Sequence, residues 1–166
     1  MGNCTGNTVE CGQGNRGMEV MKKNIDSELR VLSQDIDIDS NDRKGMESRE
    51  EIERRLQGRA WVEIDDGMYR GEMDNSSLRN GFGQYRWKDG AEYTGQWRDD
   101  KMEGYGRIIH SDKDIYEGYW TNNRAEGKGV FLRKDGTIFQ GEWIGDKQQG
   151  EGKERWRSGL RYSGQY

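Results

Sequence analysis

The sequence predicts a mainly β fold built of tandem antiparallel hairpins, and three periodic signals predict it. An aromatic-x-Gly-x-aromatic frame occurs at residues 93–97, 116–120 and 139–143, so it returns every 23 residues. A Gly-x-Gly pair begins eleven residues after the first aromatic of each of these frames. In a looser copy that begins at Tyr69, the pair begins twelve residues later. Asp89-Gly90 and Asp135-Gly136 are turn signals that precede the next frame. Because Asp-Gly between alternating segments indicates a hairpin, each period is predicted to form two strands.

The repeats divide the chain into an array and a region before it. Looser copies of the frame at residues 69–73 and 162–166 extend the predicted array over residues 69–166. We expect repeats at 69–92, 93–115, 116–138 and 139–161, and a partial repeat at 162–166. Residues 61–68 are predicted to form a cap strand, which repeat arrays need over their first core layer. Residues 1–17 are predicted to be a flexible leader and residues 18–60 a helical and acidic linker region.

The predicted core is made of the aromatic and glycine positions of the frame. Tyr93, Gly95 and Trp97 are two residues apart, which places them on one face of a strand. Since glycine weakens a strand interior, the recurring Gly-x-Gly indicates that each Tyr and Trp ring lies over the glycines of an adjacent strand. The predicted repeat core consists of Tyr69, Gly71, Gly81, Gly83, Tyr93, Gly95, Trp97, Gly104, Gly106, Tyr116, Gly118, Trp120, Gly127, Gly129, Phe139, Gly141, Trp143, Gly150, Gly152, Tyr162 and Gly164.

These residues resemble the MORN repeat, whose pattern is Tyr-x-Gly-x-Trp, then Gly-x-Gly, then Asp-Gly. The resemblance covers residues 69–166. It implies a single elongated, curved antiparallel sheet made of a row of hairpins. Proteins with this repeat resemble scaffolds at membrane–cytoskeleton junctions and cell cortices, and they have also been linked to acidic lipids.

The first four residues, Met-Gly-Asn-Cys, are a candidate lipidation site. Loss of Met1 would expose Gly2 to N-myristoylation, and Cys4 would accept a palmitoyl chain. A second signal is needed because one myristoyl chain binds membranes with an association constant of only about 10⁴ M⁻¹. The match is incomplete, since the motif has Ser or Thr where this chain has Gly6. The alternative is an unmodified, disordered tail.

Two helices are predicted before the array. A stripe of apolar residues at three- and four-residue steps predicts an amphipathic helix over residues 18–33. It could pack on the sheet, meet a partner helix or lie on a membrane, and its thin basic face makes the membrane the least favoured of the three. A short helix follows Ser48, where Ser48 and Glu51 form a capping box and Gly58 is the stop signal.

Two segments resemble ligand-binding motifs, but neither is predicted to bind a ligand. Residues 12–17 spell G-x-G-x-x-G, but no strand precedes them and no parallel sheet follows, so a flexible spacer is predicted. Residues 35–42 have aspartates at calcium-loop spacing, but Ser40 and Met46 stand where an EF-hand has Gly and Glu. A solvated acidic linker is predicted there. We expect no cofactor and no metal site.

Composition argues against several classes of protein. Residues 69–166 carry seventeen basic and sixteen acidic side chains, so nucleic-acid binding is not expected. Cys4 and Cys11 both lie in the leader, which favours a reducing compartment without disulfides. No apolar run approaches the roughly 20 residues of a membrane helix, and the leader lacks the apolar segment of a secretory signal. Because the one histidine, His110, has no repeated serine or carboxylate partner, we expect no enzymatic activity.

We therefore expect a non-catalytic scaffold or protein-interaction module, lipid-anchored through Gly2 and Cys4 at the cytoplasmic face of a plasma membrane or cell cortex. Protein partners would bind the repeat sheet. The open edge of the strand at residues 162–166 could pair with a second copy or a ligand strand.

Two alternatives remain open for the function. The array could serve as the regulatory or targeting module of a phosphoinositide kinase or a lysine methyltransferase, because MORN arrays also precede such domains. It could also bind acidic lipids directly. The candidate phosphate contacts are Arg155, Arg157 and Arg161.

Overall fold

The structure is a computed structural model that describes residues 49–166. The predictions for the leader, for the helix at 18–33 and for the acidic segment at 35–42 lie outside the described residues. So do the candidate lipidation residues Gly2 and Cys4.

All the strands in the described part of the chain belong to one antiparallel sheet. Each strand pairs with the strands before and after it in sequence, so the sheet is a row of hairpins. This confirms the predicted fold class. The strands are β1 (Val62–Ile64), β2 (Gly67–Met73), β3 (Arg79–Trp87), β4 (Glu92–Arg98), β5 (Lys101–Ile109), β6 (Ile115–Thr121), β7 (Arg124–Leu132), β8 (Ile138–Ile144), β9 (Lys147–Arg155) and β10 (Arg161–Gln165).

One face of the sheet carries the cluster of buried aromatic rings, and we call it the core face. In β4, Tyr93, Gly95 and Trp97 are buried and alternate with the less buried Thr94 and Gln96. The other repeats place their frame residues on the same face, so the aromatic rings form one continuous cluster. Its buried members are Tyr69, Tyr85, Tyr93, Trp97, Met102, Ile108, Tyr116, Trp120, Ala125, Phe139 and Trp143. The side that carries Thr94 is the opposite face.

A single helix, α1 (Arg49–Leu56), precedes the sheet within the described residues. Gly58 follows it with a φ of 79°, the left-handed conformation that commonly stops a helix. Leu56 is fully buried, and the Arg55 guanidinium lies 4.1 Å from the centroid of the Phe82 ring. Arg59 donates a 2.8 Å hydrogen bond to the carbonyl of Gly71. These contacts hold the end of α1 against the first hairpins.

The Asp-Gly signals form the predicted hairpin turns. Between β3 and β4, Trp87 N–H donates to the Ala91 carbonyl at 3.0 Å, and Asp89 Oδ1 accepts the Ala91 N–H at 2.9 Å. Gly90 has a φ of 89°. In the next repeat Lys113 occupies the equivalent position with a φ of 82°, so the turn persists without its glycine.

The two glycines of each Gly-x-Gly pair have different roles, and the prediction that both make room for a ring is wrong for the first. Gly106 pairs with Gly95, but the next pair joins Met102 to Trp97, so β5 has a bulge that includes Gly104. Gly104 has a φ of 67°, and glycine is the usual residue in this bulge conformation. The first glycine therefore permits a bulge.

The second glycine does make room for a ring, as predicted, but the ring is that of Tyr and not of Trp. A Cβ added to Gly106 would collide with the Tyr93 hydroxyl and ring, and one added to Gly95 would lie 2.6 Å from the same hydroxyl. Tyr93 therefore lies over a glycine of its own strand and a glycine of the next. This close packing of ring on backbone repeats at Tyr69, Tyr116 and Phe139.

We predict that Gly106→Ala lowers the free energy of unfolding by about 1–3 kcal/mol, because the added methyl group overpacks the space that Tyr93 fills. Urea denaturation followed by tryptophan fluorescence measures the change.

Gly145→Asn is the matched control for this experiment. Gly145 has a φ of 53° in the turn between β8 and β9, and nothing lies within 4 Å of an added Cβ. Asn122 has a φ of 51° at the equivalent position of the preceding repeat. The control should change stability little, and a Gly106→Ala protein as stable as the control would contradict the packing argument.

Candidate interaction surface

The core face is an unbroken chain of edge-to-face aromatic contacts. The ring centroids of Tyr93 and Trp97 lie 5.1 Å apart within one repeat, and those of Tyr93 and Trp120 lie 5.5 Å apart across the boundary to the next. The same alternation continues to Phe139 and Tyr166, whose centroids are separated by 4.7 Å. Such pairs contribute about 0.5–1.5 kcal/mol each beyond the area they bury. Every repeat is thus packed directly on its neighbours.

The polar atoms of these rings are satisfied inside the sheet. The hydroxyl of Tyr93 donates to the Gln96 carbonyl at 3.0 Å, and the indole N–H of Trp120 donates to the Gly106 carbonyl at 3.0 Å. Burial raises the pKa of Tyr93 well above its ordinary value. Burial, together with the hydrogen bond to Asp66, raises the pKa of Tyr85 to about 12. These phenols stay protonated at neutral pH and serve packing.

One turn residue in each of three hairpins binds the preceding repeat. Asp100 N–H donates to the Arg79 carbonyl at 3.1 Å, and Asp100 Oδ1 accepts the Arg79 backbone N–H at 2.9 Å. Asp100 has a positive φ, as do its equivalents Asn123 and Asp146 in the next two repeats. Asp and Asn tolerate this conformation better than most residues. The equivalent reciprocal pairs are Asn123 with Met102 and Asp146 with Ala125.

These inter-repeat bonds were not predicted from the sequence. The signal is present, because Asp100, Asn123 and Asp146 recur every 23 residues and follow the aromatic frame. Asp and Asn are common in any turn, so the period alone does not reveal that their side chains reach a neighbouring hairpin. The partner lies 21 residues earlier in sequence, and only the pairing of the strands brings it into reach.

Asp100 carries an additional ion pair with Arg79. Burial raises the pKa of the Asp100 carboxyl, but the hydrogen bonds from the Arg79 backbone and guanidinium, with the positive charge of Arg79, outweigh it, and the net pKa is lowered. The guanidinium Nε donates to Asp100 Oδ1 at 2.9 Å. The ionised carboxylate therefore stabilises the folded array.

The opposite face carries hydrogen-bonded charged groups. Arg107 Nε donates to Glu117 Oε2 at 2.9 Å, and the Tyr105 hydroxyl lies 3.3 Å from Glu117 Oε1. The Tyr105 ring is packed edge-to-face on Tyr119, which is 39 % exposed. Tyr and Arg are enriched at protein interfaces, so this patch has a suitable composition for a protein partner.

A second polar group lies nearer the start of the sheet on the same face. Arg70 Nε donates to Gln84 Oε1 at 2.8 Å, and Gln84 Nε2 donates to Glu92 Oε1 at 2.7 Å. Glu92 also accepts a 2.7 Å bond from Arg86. The indole ring of Trp61 packs against the guanidinium groups of Arg70 and Arg86. The opposite face is thus polar and aromatic over several strands.

The three arginines predicted as phosphate contacts lie in the hairpin formed by β9 and β10. Arg155 and Arg161 are directly opposite each other on β9 and β10, and Arg157 lies in the connecting turn beside Gly136 of the preceding hairpin. Like charges directly opposite in a sheet are destabilising. The structure therefore brings two of the three arginines together as a cross-strand pair.

His110 lies in the turn after β5, where its carbonyl accepts the Lys113 N–H at 3.0 Å. Within residues 49–166 no group of three or more His, Cys, Asp or Glu side chains has the geometry to hold a metal ion. None of the helices in that part of the chain is long and apolar enough to cross a membrane.

The fold and these contacts define a tandem β-hairpin repeat protein. The MORN repeat family matches residues 69–92, 93–115, 116–138 and 139–161, which together make up more than half of the chain. The protein therefore belongs to the MORN-repeat family, and the predicted resemblance is confirmed over these residues. Comparison with curated proteins finds no match. Family membership supports a repeat-based module for protein interaction or membrane association.

We predict that Asp100→Asn destabilises the protein at pH 7 and has a smaller effect near pH 3. The folded-state pKa of Asp100 is depressed, so its contribution is present above the unfolded pKa of about 3.9 and is lost as the pH falls through the folded pKa. Urea unfolding of both proteins across this range measures the difference.

Asp99→Asn serves as the control, because Asp99 is exposed and accepts a long 3.4 Å bond from Asn80. It should have little effect at either pH. An Asp100→Asn effect that does not change with pH would show that the charge of Asp100 is unimportant.

Proposed function

We propose that the protein is a non-catalytic scaffold that presents a MORN-repeat sheet to protein partners at the cytoplasmic face of a membrane. The observation that carries the proposal is the continuous packing of the repeats. Nearest-neighbour ring contacts extend from Tyr69 to Tyr166, and such contacts hold a repeat array in one fixed arrangement. A rigid array can hold bound partners at set positions.

The opposite face is the surface that we propose for protein binding. The core face uses its aromatic rings for packing between repeats, whereas Tyr119 on the opposite face is partly exposed beside Tyr105 and the Arg107–Glu117 pair. Aromatic and arginine side chains supply most of the binding energy in protein interfaces. Mixed charges over this face favour a polar partner surface over a uniformly acidic one.

The membrane association is proposed from the leader sequence. Gly2 and Cys4 have the arrangement of an N-myristoylation site beside a palmitoylation site, and two acyl chains give stable anchoring where one does not. A plasma membrane or cell cortex is the proposed location, because this family resembles cortical scaffolds.

Direct binding of acidic lipid is the second candidate, and one observation favours it. Arg155 and Arg161 are held opposite each other across two strands. An anionic headgroup between them would relieve their repulsion, since phosphate accepts hydrogen bonds from more than one guanidinium. Arg157 in the adjoining turn would extend this contact.

Flotation of the full chain, expressed in a eukaryotic cytosol, tests the anchor. We expect the parent protein to float with membranes and the Gly2→Ala and Cys4→Ser variants to remain in the soluble fraction. Each variant removes one acyl chain, and one chain binds only with about 10⁴ M⁻¹. Intact mass measurement of the parent should show both acyl groups.

Either of two other outcomes would contradict the lipid anchor. If the parent stays soluble, the lipid anchor is wrong. If all three proteins float alike, the anchor is also wrong, and an Arg155→Ala/Arg161→Ala variant then tests direct lipid binding. In that case loss of flotation from vesicles containing acidic lipid would support the second candidate.

A further inference from the structure

The opposite face carries an aromatic ring at the same position of the first two repeats. Phe82 and Tyr105 are each the middle residue of a Gly-x-Gly pair. Phe82 is buried, and the Arg55 guanidinium of α1 lies 4.1 Å from its ring centroid. Tyr105 packs instead on Tyr119, which is partly exposed. The first repeat therefore has a helix against a position that the second repeat uses in its candidate protein-binding patch.

The segment that contacts the first repeat is residues 49–61, and we call it the strap. It consists of α1 and the residues that lead to β1. At its end, the ring of Trp61 packs against two guanidinium groups, 4.9 Å from that of Arg70 and 4.3 Å from that of Arg86. Together with the contact to Phe82, these place the strap on the opposite face of β2 and β3.

The contacts of the strap are weak ones. Arg59 donates a 2.8 Å hydrogen bond to the Gly71 carbonyl, and its guanidinium lies 3.6 Å from the Glu72 carboxylate. Both side chains of this ion pair are about 40 % exposed, and exposed pairs contribute little to stability. Among the α1 side chains that the structure describes, only Leu56 is fully buried.

The covalent connection to β1 compensates for these weak contacts. An eight-residue helix is too short to be stable by itself in water. Because the strap is tethered to the sheet, it is present at a high effective concentration and binds despite a low intrinsic affinity. A free helix with more contacts can therefore compete with it.

The surface under the strap selects an arginine-bearing helix. The Phe82 ring accepts a guanidinium on its face. Glu72 Oε2 accepts the Phe82 N–H at 3.3 Å, while Glu72 Oε1 faces Arg59. The ring and the carboxylate are thus held side by side, and together they favour a partner with two basic side chains and an apolar residue, as in α1.

This surface continues toward the second repeat. Phe82 pairs with Gln96 of β4, and Tyr105 lies on the next strand, β5. Two strand spacings amount to about 10 Å, which about seven helical residues span. A helix longer than α1 can therefore contact Phe82 and Tyr105 at once, which gives it an advantage over the strap.

We propose that the strap is an internal ligand covering a helix-binding surface around Phe82, and that a longer amphipathic helix of a partner protein displaces it. The partner helix carries arginine and leucine side chains at the spacing found in α1. The inference rests on the proposed protein-binding function and names the chemistry of a partner for the opposite face. An amphipathic helix lying on a complementary surface is a common mode of recognition.

The experiment compares the full chain with an Arg55→Ala/Arg59→Ala variant, which we call the open variant. Both arginines are exposed, so their replacement should leave the sheet folded. The probe is a peptide with the sequence of the strap, residues 49–61, titrated into each isotope-labelled chain. Chemical shifts of the Phe82 and Gln84 amides report binding. We expect the open variant to bind at least about tenfold more tightly than the parent, because its own strap no longer competes.

Substitutions at position 82 of the open variant test the surface itself. Phe82→Lys removes the ring and repels the peptide arginines, so it should abolish binding. The fold should tolerate it, since Lys128 occupies the equivalent position of the third repeat. Phe82→Tyr is the matched control and should bind like the open variant, because Tyr105 is its equivalent in the second repeat. Circular dichroism and urea midpoints check that both variants are folded.

Three results would overturn the proposal. The first is equal affinity of the parent and the open variant for the peptide, and the second is unchanged binding to a folded Phe82→Lys chain. The third is a concentration-dependent dimer of the parent in light scattering that Phe82→Lys abolishes, since a second copy of α1 would then be the occupant. The proposed membrane anchor is tested separately, because flotation depends on Gly2 and Cys4.

Discussion

The contact on which the structure depends is the packing of a tyrosine or phenylalanine ring on two backbone glycines. In the second repeat Tyr93 lies over Gly95 of its own strand and Gly106 of the next, with no room for a Cβ at either position. The ring thereby packs the two strands of its hairpin together. Its edges remain available for contacts with other aromatic rings. Trp97 of the same strand and Trp120 of the next repeat approach it from two sides, which links two successive hairpins. A chain with few aliphatic residues obtains a core in this way.

A bulge and a turn residue accompany that contact in each hairpin from β4 to β9. A regular ladder from Gly95 to the end of the hairpin would pair Gly104 with Trp97, whereas the bulge at Gly104 brings Met102 opposite Trp97. In the turn between β4 and β5, Asp100 has a positive φ, and its side chain is directed back to the preceding repeat. Both devices act between nearest neighbours, so stability is distributed along the array and each repeat is supported by those beside it.

The same arrangement separates structure from recognition. The core face uses its aromatic rings, together with their hydroxyl and indole N–H groups, to join the repeats. The opposite face has paired charges around Tyr105 and Tyr119, and Tyr119 is partly exposed. Residues outside the core can therefore vary without disturbing the packing of rings on glycines.

The sequence by itself determined the repeat period, the strands, the hairpin turns and the core face, because side-chain alternation and turn chemistry are local and recur every 23 residues. It did not distinguish the two glycines of Gly-x-Gly, since a glycine that frees φ and a glycine that makes room for a ring have the same letter. It also did not reveal the bonds from Asp100, Asn123 and Asp146, or the cross-strand pairing of Arg155 with Arg161. Those depend on register, and only the tertiary structure decided which residues of separate hairpins face each other.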